Sequence, residues 1–324
     1  MRMTKNNLVE LRKIIDESLT IGVVSHINPD GDNLGSLLGL GLSLMSMGKN
    51  VTMIKADFIP SDYEFLNGVD QLKSIDDSLE SLDLLFVVDC SDADRLGLNR
   101  FILDKSNIVV NIDHHVSNSH FGDINLVDSG ASSTGELVYR LIKDLNLPLD
   151  REIAQNLYVA ISTDTGRFTY ENVSNTTHSI IADLYNYDIE AYKLNKLLYQ
   201  TRSINRTKLF IESISKVSFF NNWSIAIAKV TQEMLEKTNT KMEDTEGIVE
   251  FLRDTNSVEV AILLKEVSEA KIKVSLRTKS TIDANIICNT FGGGGHVRAS
   301  GCTIEEVIEE AERLILAEVK KYMD

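Results

Sequence analysis

Four short apolar runs, Ile21–Val24, Val51–Ile54, Leu84–Val88 and Ile108–Ile112, punctuate the first third of the chain. They are rich in β-branched residues and predominantly apolar, where a half-exposed strand would alternate. Continuous apolar runs of this length read as parallel strands covered on both faces. Helical stretches lie around them, at 5–18, 33–47, 132–145, 151–162 and 175–186. Strand and helix alternating in this way restrict the first part of the chain to a doubly wound, mainly parallel α/β sheet.

Beyond residue 216 the pattern changes. Residues 223–230, 257–267 and 271–279 read as strands, and helices are expected near 243–253, 282–290 and 304–321. This predicts a second, smaller α+β domain. The expected division is 1–187 for the first domain, 188–215 for a helical connector and 216–324 for the second domain. At 324 residues, two domains are what the length suggests.

Composition narrows the function. With 43% hydrophobic and 25% charged residues, the chain can bury an ordinary globular core. No run approaches the ~18 apolar residues of a membrane span, and the N-terminus lacks the apolar core of a signal peptide. The three dispersed cysteines, Cys90, Cys288 and Cys302, form no C-x-x-C pair, which points to a reducing cytoplasm rather than to a disulfide framework or thiolate zinc. A net charge of −15 argues against a broad groove for long nucleic acid but leaves room for a small anion in a local basic pocket.

The strands of the first domain run into potential metal ligands. Ile21–Val24 leads to His26, Asp30 and Asp32 in SHINPDGD; Leu84–Val88 leads to Asp89; Ile108–Ile112 leads to Asp113, His114 and His115 in NIDHH; and the helix at 151–162 leads to Asp164 in TDTG. Asn, Pro, Asp and Gly alone would make SHINPDGD a plain polar turn, but a turn has no use for His26. Parallel strands present their carboxyl ends on one edge, where open sheets bind ligands. So many carboxylates side by side would be prohibitive without cations. A carboxylate-rich set suits Mn²⁺, or less well Mg²⁺ or Co²⁺. Two such ions ~3.5–4 Å apart can clamp a phosphoryl group and generate a nucleophile at neutral pH.

HINPDGD, VVDC, DHH and TDTG, in this order, resemble the four motifs of the DHH phosphoesterase superfamily, and FGGGGHVRASG (291–301) resembles the glycine-rich signature of its DHHA1 domain. Length and plan are most similar to the stand-alone nanoRNases, which are bifunctional oligoribonucleases and 3′-phosphoadenosine-5′-phosphate (pAp) phosphatases. The resemblance implies a DHH catalytic domain and a DHHA1 substrate-binding domain. It implies one ion on His26, Asp30 and Asp89 and a second on Asp32, Asp89, His114 and Asp164, with Asp89 bridging. Asp113 would orient an imidazole, and His115 would face the scissile phosphate or leaving group. Arg277, Gly293, Gly294, Gly295 and His296 would bind substrate. Arg167 departs from the commoner small or polar residue and bears on substrate preference.

On the residues themselves, Lys271, Lys273, Ser275, Arg277 and Lys279 line one face of a strand, and the lysines read as an ordinary solvated face. The four glycines can form an anion nest or a linker. Ser132-Ser133-Thr134-Gly135-Glu136 reads as a helix cap before it reads as a phosphate contact. Tyr158 and Tyr170 read as packing, and His120 and His178 as structural or surface residues. The expected activity is hydrolysis of very short oligoribonucleotides and pAp. A cyclic di-AMP or linear dinucleotide phosphodiesterase is the rival reading, and a silent nucleotide sensor or RNA-binding module the non-enzymatic one. The expected partners are short RNA or small nucleotides, without membrane or long double-stranded nucleic acid; a homodimer stays open.

Overall fold

The computed structural model describes residues 5–76 and 78–323. Two compact units divide between Thr201 and Arg202. The stretch 188–215 holds two helices, one in each unit.

In the first unit, α1 (Lys5–Glu17) leads into β1 (Thr20–Val24), α2 (Gly31–Ser46) and β2 (Asn50–Ile54). β3 (Leu84–Val88), β4 (Val109–Asp113) and β5 (Ile124–Val127) follow, and then helices α3 (Thr134–Asp144), α4 (Arg151–Asp164), α5 (Asn175–Leu184) and α6 (Ala191–Tyr199). The sheet order is β2-β1-β3-β4-β5, with every pairing parallel. The expected doubly wound α/β sheet is therefore present. β3 and β4 are buried at every position; β3 is apolar throughout, whereas β4 buries Asn111 and Asp113, both hydrogen-bonded to Asn118. β5, in the sequence INLV, was not among the expected strands; its four residues are only partly buried at the sheet edge, so they carry no continuous apolar signal.

The strand order reverses between β1 and β3, which are neighbours in the sheet. The carboxyl ends of strands at such a switch point open into the usual ligand crevice of this fold. Glycines set the helix packing beside it. A Cβ on Gly31 would lie 2.4 Å from Thr163 Oγ1, and one on Gly35 would lie 2.5 Å from the Asn156 carbonyl. Only glycine lets α2 lie this close to α4, antiparallel, with the start of α2 beside the end of α4.

The second unit opens with α7 (Ile204–Ser215), β6 (Ser218–Phe220), β7 (Ile225–Val230), α8 (Gln232–Thr238) and α9 (Ile248–Arg253). β8 (Val260–Ser268), β9 (Lys271–Thr278), α10 (Ala284–Asn289), β10 (Gly294–His296), β11 (Ala299–Ile304) and α11 (Ile308–Lys320) complete it. Its mixed sheet runs β10-β11-β9-β8-β7-β6, with only β7 and β8 parallel. The expected second α+β domain is present. The helix expected over 243–253 is interrupted: a 3₁₀ turn at Met242–Thr245 and α9 are separated by Gly247 at φ 89°. The helix expected from 304 starts at Ile308, because Ile304 closes β11. β9 alternates as predicted, with Ile272, Val274 and Leu276 in the core.

Candidate metal centre

Each element delivers its side chain for a local reason. Asp30 is the N-cap of α2 and accepts a hydrogen bond from Asn33 N–H at 3.0 Å. Asp32 follows in the first turn, where a carboxylate complements the helix dipole. Asp89 terminates β3 with φ 56°, in the left-handed region that aspartate tolerates better than most residues. Such backbone strain concentrates at functional sites. His114 and His115 follow β4, and Asp164 is the last residue of α4.

These side chains converge. Nε2 of His26 lies 3.2 Å from Asp89 Oδ2, while its Nδ1 lies 2.7 Å from the Ile27 carbonyl. Donation to that carbonyl leaves the Nε2 lone pair directed into the cluster. His114 Nε2 is 3.5 Å from Asp164 Oδ2, 3.8 Å from Asp32 Oδ2 and 3.9 Å from Asp89 Oδ1. Three sets of donor atoms fall within metal-ligating range of one another: His26, Asp30 and Asp89; Asp32, His114 and Asp164; and Asp89, His114 and His115. Asp89 belongs to two of them and reaches the third through His114. The donors are oxygen and imidazole nitrogen only, a set that fits hard divalent cations.

The electrostatics fit as well. Burial, followed by the charges of Asp89 and Asp164, raises the pKa of Asp32 well above the carboxylate range. Burial likewise pushes Asp164 up to about 7. Burial also opposes charge on Asp89, but the hydrogen bond and charge of His26, with His115 and His114 behind it, outweigh burial and hold that carboxyl well below its ordinary value. His26 is raised, because the hydrogen bond and charge of Asp89 overcome the burial that would lower it. A nest of buried carboxylates that cannot all ionise unaided is what divalent cations neutralise.

His115 is held differently. Its Nδ1 lies 2.6 Å from Asp113 Oδ1, and Asp113 is fully buried. Asn118 donates to Asp113 Oδ2 at 2.6 Å and to Asn111 Oδ1 at 2.8 Å. The imidazole that Asp113 orients is thus His115. Neither asparagine was singled out in the sequence, although Asn118 stands three residues after His115. Ser132–Glu136 also serves the centre: Thr134 and Gly135 donate to Asp32, and the Thr134 hydroxyl donates to Asp89. Thr134 is fully buried and Ser133 caps the helix, the reading preferred for this segment.

The substrate residues expected in the second unit share one sheet. In register, His296 pairs with Ala299, and Ala299 pairs with Arg277. Directly opposed residues project to the same face, so Arg277 and His296 flank a small alanine. Arg277 Nε donates to Glu250 Oε1 at 3.1 Å, a partner the sequence did not suggest. The glycines differ from an open nest. Gly292 and Gly293 direct their N–H groups to the Asn289 and Cys288 carbonyls at the end of α10. Gly294 and Gly295 enter β10, where a Cβ on Gly295 would lie 2.5 Å from the Ala299 carbonyl.

Tyr158 is buried and bonded to Asn195, as a packing residue is; Tyr170 is exposed. His178 packs against Phe168 with the rings tilted by 39°, and His120 is exposed with φ 55°. Arg167 lays its guanidinium 4.0 Å from the centre of the Tyr199 ring.

An α/β sheet with a carboxylate–imidazole centre at its switch point, followed by a mixed-sheet domain, defines a class of phosphoryl-handling proteins. The sequence profile of the DHH family, N-terminal domain, matches residues 20–161, and that of the DHHA1 domain matches residues 222–324. The chain belongs to the DHH/DHHA1 phosphoesterase superfamily. The bifunctional oligoribonuclease and PAP phosphatase NrnA of Thermus thermophilus is 29% identical over 305 residues, which cover 93% of this chain and 89% of the relative. The protein of the same name from Bacillus subtilis is 27% identical over 309 residues, covering 94% and 96%. The crystal structure of an exopolyphosphatase-related protein from Bacteroides fragilis matches with a TM-score of 0.93 at 27% identity, covering 99% of this chain and 97% of that one. RecJ of Thermus thermophilus in complex with Mn²⁺ matches at a TM-score of 0.54 and 15% identity, covering 97% of this chain and 54% of that one, a likeness of fold alone.

Proposed function

We propose that this chain is a divalent-metal-dependent phosphoesterase that trims very short oligoribonucleotides to mononucleotides and removes the 3′-phosphate of pAp. The observation that carries the reading is the convergence of His26, Asp30, Asp32, Asp89, His114 and Asp164 within ligating range. The names of the relatives supply the substrate class.

His26, Asp30 and Asp89 would hold one ion, and Asp32, Asp89, His114 and Asp164 a second, with Mn²⁺ the best match to a carboxylate-rich donor set. When bound, the ions supply Lewis acidity toward the phosphoryl oxygens and an activated water at neutral pH. Ile27 fixes the tautomer of His26 through its carbonyl. Asp113, itself held by Asn118, orients His115 through Nδ1. Proton transfer to the leaving oxygen therefore falls to Nε2 of His115, the ring's other nitrogen.

In the second unit, Arg277 and His296 would grip the far phosphate or base of the substrate. Backbone of Gly293, Gly294 and Gly295 would flank it where no side chain intrudes. The molecule would act in the cytoplasm on short or mononucleotide-sized substrates, since a net charge of −15 argues against the extended basic track that long strands need.

A panel of pAp, pApA, pGpG, cyclic di-AMP and a labelled 24-mer RNA at fixed Mn²⁺ tests this reading. Release of phosphate from pAp and of AMP from pApA, faster per site than cleavage of the 24-mer, is expected. Faster cleavage of the 24-mer, or turnover of cyclic di-AMP alone, would contradict it.

A further inference from the structure

The start of α3 is built around two carboxylates rather than around water. The first N–H groups of a helix have no intrahelical partner and ordinarily meet a cap or solvent. Here Ser133 caps Glu136 N–H at 3.1 Å, and the two N–H groups between them point at Asp32: Thr134 N at 2.7 Å from Oδ2 and Gly135 N at 2.8 Å from Oδ1. Ser36 Oγ adds a further donor to Oδ1 at 3.0 Å. The Thr134 hydroxyl turns the other way and donates to Asp89 Oδ1 at 2.9 Å. One residue thus bonds two acids that come from separate elements, α2 and the end of β3.

A buried threonine can satisfy its hydroxyl on a carbonyl of the preceding helical turn, as Thr165 and Thr238 do in this chain. Thr134 has no helical turn before it, being the first residue of α3. Its hydroxyl therefore depends on Asp89. Counting acceptor sites shows the consequence. A carboxylate has about four lone-pair sites. The two donors on Asp32 Oδ1 fill that oxygen, and the single donor on Oδ2 leaves one site, on the oxygen nearest His114. On Asp89 Oδ1 the Thr134 hydroxyl likewise leaves one.

We infer that Thr134 is a positioning residue for the metal centre: its hydroxyl and N–H together fix Asp89 and Asp32 so that each can give a single oxygen atom from the side Thr134 holds. This rests on the metal-dependent reading above and extends it to a residue that touches neither substrate nor ion. Glu136 anchors the segment from behind, accepting from Ser132 Oγ and Thr177 Oγ1. The placement of Thr134 is therefore set by a second buried network.

The test is Mn²⁺ affinity of the chelated protein, read by electron paramagnetic resonance as free and bound ion, for wild type, Thr134→Val and Thr134→Ser. Loss of a partner that orients a ligand costs about 10–100-fold in metal affinity, so Thr134→Val is expected to weaken binding by that factor. Thr134→Ser keeps the hydroxyl and should restore most of the affinity. A merely structural role would lower the melting temperature of the chelated protein and leave Mn²⁺ affinity untouched. Should Thr134→Val not fold, Thr134→Ala against Thr134→Ser makes the same comparison. A folded hydroxyl-free variant that binds Mn²⁺ as wild type does, or a serine variant as weak as valine, overturns the inference alone. A wild-type protein that binds no Mn²⁺ overturns the metal-dependent reading and this inference together.

Discussion

Asp89 and Arg277 are the charged residues on which the two units' proposed roles turn, and their surroundings differ. The side chain of Asp89 is 3% exposed, among imidazoles and other carboxylates; that of Arg277 is 26% exposed, on a strand beside α9 with one carboxylate partner, Glu250. In the first unit, charges are forced together in a buried place where an ion must reconcile them. In the second, Arg277 and His296 stand in register on a sheet face with Ala299 between them. The difference implies a division of labour, with chemistry in the first unit and recognition in the second. Mutations should separate the two.

The largest expected effect is at Asp89. Asp89→Ala removes the carboxylate shared between donor sets, so turnover of every substrate should fall to the level of the chelated protein. Metal content by elemental analysis should fall with it. Arg277→Ala and His296→Ala should behave oppositely. One lost charge-assisted contact is worth about 1.5–3 kcal/mol, or roughly ten- to more than a hundredfold in kcat/KM on pAp and pApA. Metal content should hold, and bis-p-nitrophenyl phosphate, which has no second nucleotide, should be cleaved nearly as before. Loss of metal in either variant would break the division.

Proton linkage sharpens the same contrast. Asp164 is raised to about 7 and Asp32 well above its ordinary value, both by burial first. Below pH 7 the chelated first unit therefore carries protons that incoming ions must displace. Mn²⁺ affinity should rise with pH up to about 7, by roughly a factor of ten per pH unit for each proton released. Calorimetry in buffers of different ionisation enthalpy would count those protons. The smallest expected effect is at Glu250: Glu250→Gln weakens the partner of Arg277 Nε and should change KM by about two- to tenfold, with kcat and metal affinity unaltered.

The sequence made the first unit more legible than the second. His26, Asp89 and His114 follow strands whose apolar runs announce themselves, and a parallel sheet must bring such strand ends to one edge. Asp164 could be placed beside them only through the α2–α4 packing, which Gly31 and Gly35 permit by having no Cβ. β5 and α8 escaped because they are short and lack an unbroken apolar run or a full helical period. Thr134, Asn118 and Glu250 escaped for a different reason. The roles of Thr134 and Glu250 come from hydrogen bonds across 45 and 27 residues, which no local pattern records, while Asn118 bonds near in sequence to Asp113 and Asn111 but carries no motif that marks it. The glycine run reads as an anion nest or a linker, because composition alone does not show that Gly294–His296 would find a partner in Ala299–Gly301.

The central claim is that the buried carboxylates and imidazoles of the first unit act only through divalent ions. Removing bound metal with a chelator and titrating Mn²⁺ back, while following AMP release from pApA, tests it most directly. The account predicts no turnover in the chelated protein and recovery that saturates at two ions per chain. Full turnover in the presence of excess chelator would contradict it.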